Sequence, residues 1–401
     1  MNQRQHHISV VTETFPPEIN GVANTLSRLC TGLRSRGHTI SVIRPRQKSE
    51  SSHSLSAAPN GQSLANQLHT VPGLPIPGYP ELRFGLASSR RLAAIWHKQM
   101  PDAVYIATEG PLGLAALNAA RRLGIPVCSG FHTQFHAYSR HYGAGFLEKA
   151  IVQYLRWFHN RCHLTLAPTS KCRETLVDLG MHNLSVWSRG VDCERFGPCK
   201  RSKTLRARWG LDDRDLAVIY VGRIAPEKNI QLAVTAFERL RNIHPRAKFI
   251  LVGDGPLTSK LQQRHPDYVF CGMQQGEALA RHFASGDLFL FPSKTETFGN
   301  VVTEAMASGL AVVAFDDGAA SEHIRNEENG MKVSLNDHPG FIETVLRLAD
   351  QPSLVSHLRS KARLDALEIH WPGLIEQFEQ LIFSLPKKEN RHASKQSISL
   401  L

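Results

Sequence analysis

The sequence predicts an α/β protein built from two doubly wound parallel sheets, each the core of its own domain. The chain has 401 residues, more than one ordinary hydrophobic core organises. It opens with a strand, a helix and a second strand, which is the unit from which parallel sheets are made. Near residue 200 the alternation of apolar strands and helices starts again. Two separate sheets follow from that restart.

The first half supplies the strands of the first predicted sheet. Residues 7–15 form a β-branched run that ends in turn residues, as a strand does. A helix with apolar spacing follows from Val22 to Leu33, and Gly37 ends it. The pattern strand, helix, strand is then repeated. Further strands are predicted at 38–45, 102–108, 125–133, 164–169 and 184–192.

Two irregular stretches interrupt this first half. Residues 47–70 are rich in Ser and Asn, which predicts a flexible surface loop. Residues 71–85 contain several Pro and Gly residues, so they cannot form a regular helix.

The second half alternates short apolar strands with helices, which predicts a second doubly wound sheet. An amphipathic helix at 371–385 follows, and the polar tail 386–401 is predicted to be disordered. We therefore assign domains to residues 1–195 and 196–365, with the segment 366–385 packing back on the first. The strands of this half are predicted at 216–224, 247–255, 268–273, 287–293 and 310–315.

Composition narrows the class of protein. No apolar run approaches the roughly 18 residues of a membrane-spanning helix, and the N-terminus lacks the apolar core of a signal peptide. Seven cysteines, odd in number and without a CxxC pair, are typical of reduced thiols. A cytoplasmic protein is expected. Metal-ligand spacing is absent around Cys193 and Cys199.

The positive charge is concentrated in the first half. Residues 1–190 carry 20 Lys and Arg against 9 Asp and Glu, whereas the remainder is nearly neutral. This asymmetry favours contact of one domain with an anionic surface, either lipid or nucleic acid. Solvated charge that only aids solubility is the alternative.

Two basic residues follow the first strand of the second half. Arg223 and Lys228 lie in the segment VGRIAPEKN, where Gly222 lets the chain bend after the strand and Pro226 stiffens the loop. Ligands bind at the carboxyl ends of strands in an open α/β sheet. Two fixed cations there suit a diphosphate.

Two carboxylates follow a later strand. Glu296 and Glu304 lie in the segment TETFGNVVTEAMASG, with a helix predicted to begin near Phe298 and Gly299 permitting a close backbone approach. The amides at that helix N-terminus can donate to phosphate or sugar oxygens. The carboxylates can accept from sugar hydroxyls, and their spacing indicates that they serve different groups. Helix capping by Glu296 and a solvated Glu304 are the structural alternative.

Three weaker features accompany these motifs. The GDGPL turn with Gly253 and Asp254 could face a nucleotide or be only a tight turn, and it matches neither the dinucleotide nor the Walker pattern. Gly21 precedes the first helix and offers another amide-lined cradle. His132 lies in a group of His and Tyr side chains after a strand, where hydroxyl or phosphate binding is favoured over metal binding. The other members of that group are His136, Tyr138, His141 and Tyr142.

Together these residues resemble the family 4 retaining glycosyltransferases of the GT-B fold, over residues 8–385. The Arg–Lys and Glu–Glu pairs carry the resemblance. Four N-terminal stretches and the segment SRGVD (188–192) are similar to the subgroup of GDP-mannose-dependent α-mannosyltransferases and sulfoquinovosyl-diacylglycerol synthases. Those stretches are TETFPPEINGVANTL, PIPGYPELRFG, TEGPLG and FHTQFHAYSRHYG.

The resemblance implies two facing Rossmann-like domains with a cleft between them, the second binding a nucleotide sugar and the first binding the acceptor. It implies that Arg223 and Lys228 bind the diphosphate, that Glu304 accepts from the ribose, and that Glu296 and His132 hold the sugar. It implies no metal and no cofactor. Further donor-side residues are Gly21, Gly222, Gly253, Asp254, Phe298, Gly299, Asn300 and Val301. Acceptor-side residues are Asn20, Glu109, Tyr138, His141 and Arg189.

The leading hypothesis is a retaining hexosyltransferase that uses GDP-mannose or a UDP-glucose type of donor and a lipid or glycolipid acceptor at the cytoplasmic membrane face. A soluble sugar acceptor and a sugar-nucleotide epimerase of the same fold are the alternatives. A nucleic-acid-binding module is disfavoured, because Arg and aromatic residues are not interleaved.

Overall fold

Two parallel β-sheets with helices packed against them organise this chain. The structure is a computed structural model that describes residues 5–18, 20–47, 64–76, 79–132, 145–294 and 296–386. We call residues 7–186 the first lobe and residues 198–368 the second lobe. The two sheets bear out the predicted α/β class with two doubly wound parallel sheets.

The first lobe contains a seven-stranded parallel sheet with the order β3-β2-β1-β6-β7-β8-β9. A two-stranded antiparallel hairpin, β4–β5, stands beside it. The strands are β1 (His7–Val11), β2 (Thr39–Pro45), β3 (Gln67–Val71), β4 (Gly73–Ile76), β5 (Tyr79–Gly85), β6 (Ala103–Ile106), β7 (Val127–Gly130), β8 (Leu164–Ala167) and β9 (Leu184–Val186). The helices are α1 (Gly21–Ser35), α2 (Ser89–Lys98), α3 (Pro111–Leu123), α4 (Gly145–His159) and α5 (Ser170–Asp178).

The second lobe contains a six-stranded parallel sheet with the order β12-β11-β10-β13-β14-β15. Its strands are β10 (Ala217–Val221), β11 (Lys248–Val252), β12 (Val269–Phe270), β13 (Leu288–Phe291), β14 (Ala311–Phe315) and β15 (Met331–Val333). Its helices are α6 (Lys203–Arg208), α7 (Ile230–Ile243), α8 (Thr258–Arg264), α9 (Gly276–Ser285), α10 (Asn300–Ala307), α11 (Gly318–His323), α12 (His338–Ala349) and α13 (Pro352–Glu368).

Each sheet reverses its strand order at one place. In the first lobe β1 lies between β2 and β6, and in the second lobe β10 lies between β11 and β13. Crossover connections leave in opposite directions from such a point, which opens a crevice at the carboxyl ends of the strands. The loops after β1, β6, β10 and β13 therefore meet at the two crevices. These loops and the first turns of the helices that follow them hold most of the predicted site residues.

Both faces of each sheet are covered by apolar side chains, which is why the strands read as continuous apolar runs rather than alternating ones. In the second lobe, one buried cluster contains Phe237 from α7 and Leu290 from β13. A second cluster on the other face contains Phe289 from β13 and Met306 from α10. The position of α10 against the sheet is thus fixed by its buried face.

The last helix, α14 (Trp371–Phe383), returns to the first lobe. Its residues Ile375, Phe378 and Ile382 are buried in a cluster with β1 and α1. The approach is close, because a Cβ on Gly32 of α1 would lie 1.9 Å from Ile375 Cδ1. Residues 366–368 form the last turn of α13, so the returning helix begins at Trp371.

Two details differ from the sequence interpretation. The predicted loop at 47–70 ends in a strand, because Gln67–Val71 is β3 and pairs in parallel with β2. The sequence showed no apolar run there, since β3 is an edge strand whose first four residues are half-buried. The strand β15 was also missed because it has three residues. Within the stretch 71–85, Gly73–Ile76 and Tyr79–Gly85 form the hairpin, and its described residues contain no helix, as predicted.

Within the described residues, no helix is long and apolar enough to cross a membrane.

Candidate functional site

The loop after β10 holds the two predicted cations. Gly222 continues from β10 with a φ of 147°, a conformation that favours glycine. Pro226–Lys228 form one turn of 3-10 helix, and Asn229 in the left-handed region then starts α7. This turn holds Lys228 half-buried at the sheet edge, whereas the Arg223 side chain is 59% exposed.

The two cations bind different carboxylates. Arg223 Nη1 lies 2.9 Å from Glu227 Oε1. Lys228 Nζ donates to Glu296 Oε1, and that same oxygen accepts from Ser293 Oγ at 2.8 Å. The strands β10 and β13 are neighbours, so their ends bring Lys228 and Glu296 together. One member of each predicted pair, Lys228 and Glu296, thus meets the other, whereas Arg223 pairs with Glu227.

Glu304 lies on α10 and is half-buried at the same edge. Burial raises the pKa of Glu304 to about 7, and the smaller opposing effect comes from the Arg195 charge. Its carboxyl group has no hydrogen-bond partner among the residues that the structure describes. A desolvated acceptor without a donor is suited to a ligand hydroxyl.

The N-terminus of α10 points its free amides at the same place. Its N-cap is Gly299, which has a φ of 86° and provides no side-chain cap. The amides of Asn300 and Val301 are in the first turn, where helix N–H groups lack intrahelical partners. The site needs a glycine there because an L side chain at this φ would be strained. Anions and sugar oxygens are the usual ligands of such an N-terminus.

In the GDGPL turn, the Asp254 carboxylate accepts its hydrogen bonds from neighbouring residues of the same turn. Asp254 Oδ1 accepts from the Gly255 amide at 2.7 Å and from Thr258 Oγ1 at 2.8 Å. A Cβ on Gly253 would lie 2.0 Å from the carbonyl oxygen of Gly222. A Cβ on Gly255 would lie 2.4 Å from the carbonyl oxygen of Ile224, so the close approach of two loops explains both Gly253 and Gly255. The carboxylate of Asp254 caps its own turn.

The first lobe presents the start of α1 across the cleft. Asn20 is its N-cap, and Asn20 Oδ1 accepts from the Ala23 amide at 2.9 Å. Asn20 also donates to Thr14 Oγ1 at 2.6 Å, which fixes the loop after β1. A Cβ on Gly21 would lie 3.5 Å from Arg189 Nη1 and 3.8 Å from the side-chain nitrogen of Asn300. Residues from both lobes thus converge at Gly21.

His132 follows β7 and is held by two neighbours. Arg189 Nη2 lies 3.2 Å from His132 Nδ1, and Tyr105 Oη lies 3.3 Å from Nε2. Arginine can only donate, so Nδ1 carries the lone pair and the ring proton is on Nε2. Burial lowers the pKa of His132 to about 3, and the Arg189 charge lowers it further. This imidazole is neutral in the pH range of a cell.

Arg189 is the most buried charge in the cleft, with 5% of the residue exposed. Burial lowers the pKa of Arg189 to about 10. Its guanidinium carbon lies 5.4 Å above the centre of the Phe298 ring, which belongs to the second lobe. Within the described ranges it forms no ion pair with a carboxylate.

Glu109 follows β6 and is held by His159, whose Nε2 lies 3.2 Å from Glu109 Oε1. Glu13, which the sequence interpretation did not single out, lies beside it. Glu13 is 8% exposed and accepts from the Leu112 amide at 3.1 Å. Burial raises the pKa of Glu13 to about 7. Its position two residues after β1 was the available signal.

The lobes contact each other beside the cleft. Thr297 Oγ1 donates to the His132 carbonyl at 3.2 Å. The Ser170 amide donates to Glu322 Oε2 at 2.7 Å, and Lys171 Nζ donates to the Asp316 carbonyl at 2.6 Å. No sequence motif indicates these contacts, since each joins residues more than 140 positions apart in the chain.

Four predicted residues lie outside the described residues. They are Tyr138 and His141, which were predicted on the acceptor side, with His136 and Tyr142.

Comparison with known proteins agrees with this architecture. Residues 19–195 match the family described as Glycosyltransferase Family 4, and residues 215–351 match the family described as Glycosyl transferases group 1. A GDP-mannose-dependent alpha-mannosyltransferase of Mycobacterium tuberculosis is 33% identical over 92% of this chain and 94% of its own. The sulfoquinovosyl transferase SQD2 of Arabidopsis thaliana is 34% identical over 67% of this chain and 53% of its own.

A solved structure of similar shape is the sucrose-phosphate synthase of Thermosynechococcus elongatus. Its TM-score is 0.76 at 17% identity, over 95% of this chain and 99% of that one. At this identity the similarity establishes the fold, which is GT-B.

Proposed function

The chain belongs to the family 4 glycosyltransferases, and we propose that it moves a hexose from a nucleoside diphosphate sugar to a lipid or glycolipid acceptor with retention of anomeric configuration. The observation that carries the proposal is the cluster at the switch point of the second sheet. There Lys228 contacts Glu296, and the following helix α10 adds an N-terminus without a side-chain cap and the carboxyl group of Glu304. A diphosphate linked to two sugars needs these groups.

The second lobe is proposed to bind the donor. Lys228 and Arg223 would exchange their carboxylate partners for diphosphate oxygens, which offer more charge. The Asn300 and Val301 amides would donate to the phosphate nearest the sugar. Glu304 would accept from the ribose. Glu296, together with the backbone at Phe298 and Gly299, would accept from the hexose.

The chemistry follows from the leaving group. The bond between the anomeric carbon and the phosphate oxygen breaks, and its electron pair stays on the phosphate. The acceptor hydroxyl attacks the same face, and its proton passes to the departing phosphate oxygen. Fixed cations and amides stabilise the charge that builds on that phosphate. The sequestration of Glu296 by Lys228 and Ser293 supports this scheme over one with a carboxylate nucleophile.

GDP-mannose is the proposed donor and a lipid the proposed acceptor class. The donor is suggested by the relative named above. The acceptor is suggested by the excess of 11 positive charges in residues 1–190 and by the resemblance to a subgroup that modifies diacylglycerol. A cationic lobe is attracted to an anionic leaflet. We propose that the protein works at the cytoplasmic face of the membrane without a metal or a cofactor.

The donor experiment is a thermal-shift screen of GDP- and UDP-sugars, followed by a transfer assay. A ligand at 100 times its Kd stabilises the native state by about 2.7 kcal/mol. Arg223→Ala should lower turnover by about 10²-fold or more, because a cation on the leaving group acts mainly in the transition state. Arg239→Ala on the exposed face of α7 is the matched control. Normal turnover in folded Arg223→Ala would reject the assigned role.

The acceptor experiment uses liposomes with and without anionic lipid. The protein should sediment with anionic liposomes at low salt and be released at high salt, because screening weakens long-range attraction. Binding that ignores lipid charge would contradict the membrane part of the proposal. Donor turnover in the absence of any acceptor would instead indicate an epimerase or hydrolase.

A further inference from the structure

Three elements from different parts of the chain converge at one point in the cleft. The N-terminus of α1 reaches it at Gly21, and the N-terminus of α10 reaches it at Asn300. The Arg189 guanidinium completes the group, since its Nη1 lies 3.5 Å from where a Cβ on Gly21 would be. Both helices have at least eight residues, and each directs the positive end of its dipole to this point.

Arg189 is a buried cation that lacks a negatively charged partner in ion-pair contact within the described residues. It is more than nine-tenths buried, and its Nε is buried without a hydrogen-bond partner. Its guanidinium contacts the neutral His132 ring and the face of Phe298, and the nearby Glu296 carboxylate, which is paired with Lys228, favours the charged form without contacting it as an ion pair. A buried cation is costly unless a negative charge compensates it. Two helix N-termini beside it make the point more positive still.

The other cations of the site differ in this respect. Lys228 is paired with Glu296 and Arg223 with Glu227, so each must give up a carboxylate before it binds phosphate. Arg189 gives up no ion pair among the described residues. An anion that enters the cleft can therefore bind Arg189 without displacing a carboxylate from an ion pair with it.

We propose that Arg189 is a third cation of the diphosphate subsite, contacting the departing phosphate from the first-lobe side. The proposal rests on the proposed function and deepens it. In the transfer step the phosphate takes the electron pair of the broken carbon–oxygen bond, and Arg189 donates hydrogen bonds to the oxygen that gains the charge. Its second contact, to His132 Nδ1, holds the imidazole with its proton on Nε2. This role differs from the acceptor-side role expected from the sequence.

Three variants test the proposal. Arg189→Gln removes the charge, Arg189→Lys keeps the charge without the planar fork, and Arg239→Gln is the control on exposed α7. The probes are GDP and guanosine, or UDP and uridine if the screen selects uridine donors. Arg189→Gln should bind the diphosphate at least about tenfold more weakly, as expected for a lost hydrogen bond between charged groups. Nucleoside affinity and acceptor KM should not change.

Turnover provides the second readout. Arg189→Gln should lower kcat by about 10²-fold, comparable to loss of a donor to a transition-state anion. Arg189→Lys should recover part of both the affinity and kcat. Thermal midpoints of all variants, measured without ligand, identify any loss of folding.

The contrary outcomes are distinct. Unchanged diphosphate affinity with a raised acceptor KM would mean that Arg189 binds the acceptor, and would overturn the proposal. Equal loss of diphosphate and nucleoside affinity, with a lowered thermal midpoint and no recovery in Arg189→Lys, would mean a structural role and would also overturn it. A wild-type protein that binds no nucleoside diphosphate would instead overturn the proposed function, and this proposal with it.

Discussion

The charged side chains on the two sides of the cleft differ in their pairing and in their burial. On the second-lobe side, the two cations are half-buried or exposed and each is paired with a carboxylate, Lys228 with Glu296 and Arg223 with Glu227. Glu304 is the exception on this side, because it is unpaired within the described residues and burial raises its pKa to about 7. On the first-lobe side, charged groups are dehydrated and their pKa values move. Burial raises the pKa of Glu13 to about 7 and lowers the pKa of Arg189 to about 10. A diphosphate can thus bind the second lobe by replacing the carboxylate partners of its cations, whereas the charged groups on the first-lobe side are buried away from water.

The largest loss of turnover is expected for a substitution on the second-lobe side. Lys228→Ala removes a phosphate cation and leaves Ser293 as the one hydrogen-bond donor to the Glu296 carboxylate within the described residues. We expect kcat to fall by about 10²–10³-fold, because the lost group acts on transition-state charge. Steady-state kinetics with the donor identified in the screen measure it, and Lys260→Ala on exposed α8 is the control. Turnover within a factor of a few of the control would show that the pairing is only structural.

A substitution on the first-lobe side should lower kcat more than it lowers the affinity for the nucleoside diphosphate. His132→Gln removes a neutral ring that is fixed by Arg189 and Tyr105. We expect kcat to fall by about 10²-fold, as for a misplaced reacting group, with unchanged affinity for the nucleoside diphosphate. Calorimetric titration beside kinetics separates the two quantities. An equal loss of kcat and of nucleoside diphosphate affinity would contradict the proposed difference between the two sides of the cleft.

The pH dependence of donor binding should follow Glu304. Its folded pKa is about 7, and only the ionised form can accept from both ribose hydroxyls. Donor affinity should therefore decline below pH 7, approaching tenfold per pH unit if protonation abolishes binding. Glu304→Gln should weaken binding and flatten this profile. His132 cannot supply the same dependence, because its pKa of about 3 keeps it neutral above pH 5.

The raised pKa of Glu304 also predicts how the stability of the ligand-free protein changes with pH. The folded pKa of Glu304 lies above the ordinary pKa of a glutamate side chain, 4.5, so the folded state holds the proton more tightly than the unfolded state. Its contribution to stability is present at low pH and is lost as pH rises through 7. Glu304→Gln should therefore stabilise the ligand-free protein at pH 8 by up to about 3 kcal/mol. Denaturant unfolding at pH 5 and 8 measures this, and a gain of equal size at both values would contradict it.

A smaller effect is expected at the contact between the lobes. Glu322→Ala removes the half-buried carboxylate that accepts from the amide of the exposed Ser170. Exposed charged contacts contribute about 0.2–1 kcal/mol, so donor KM should rise by no more than a few-fold. Glu328→Ala, which removes an exposed pair with Arg325, is the matched control. A change of a hundredfold would mean that this contact governs closure.

The smallest effect is expected from chelation. If the reaction is metal-independent, as proposed, EDTA should leave transfer unchanged, because fixed cations supply the charge on the phosphate. Activity that is lost in EDTA and restored by a divalent cation would contradict this.

Most of the second-lobe side was predictable from the sequence. Arg223, Lys228, Glu296 and Glu304 follow strands of a doubly wound sheet, and such strand ends meet at one edge. The spacing could not tell that Lys228 and Glu296 pair with each other, since they are 68 residues apart. The first-lobe side was harder, because Glu13 and Tyr105 resemble ordinary residues of a strand and its loop until their burial is known.

The order of apolar strands and helices, with glycines at strand ends, determined by itself that this chain forms two parallel sheets and where their ligand-binding edges lie. Local propensity and hydrophobic pattern act over a few residues, so the sequence carries them directly. Tertiary structure alone decided which charges are dehydrated, which are paired, and that Arg189 faces Gly21 and Phe298 across the cleft. Desolvation depends on every neighbour in space, and those neighbours come from distant parts of the chain.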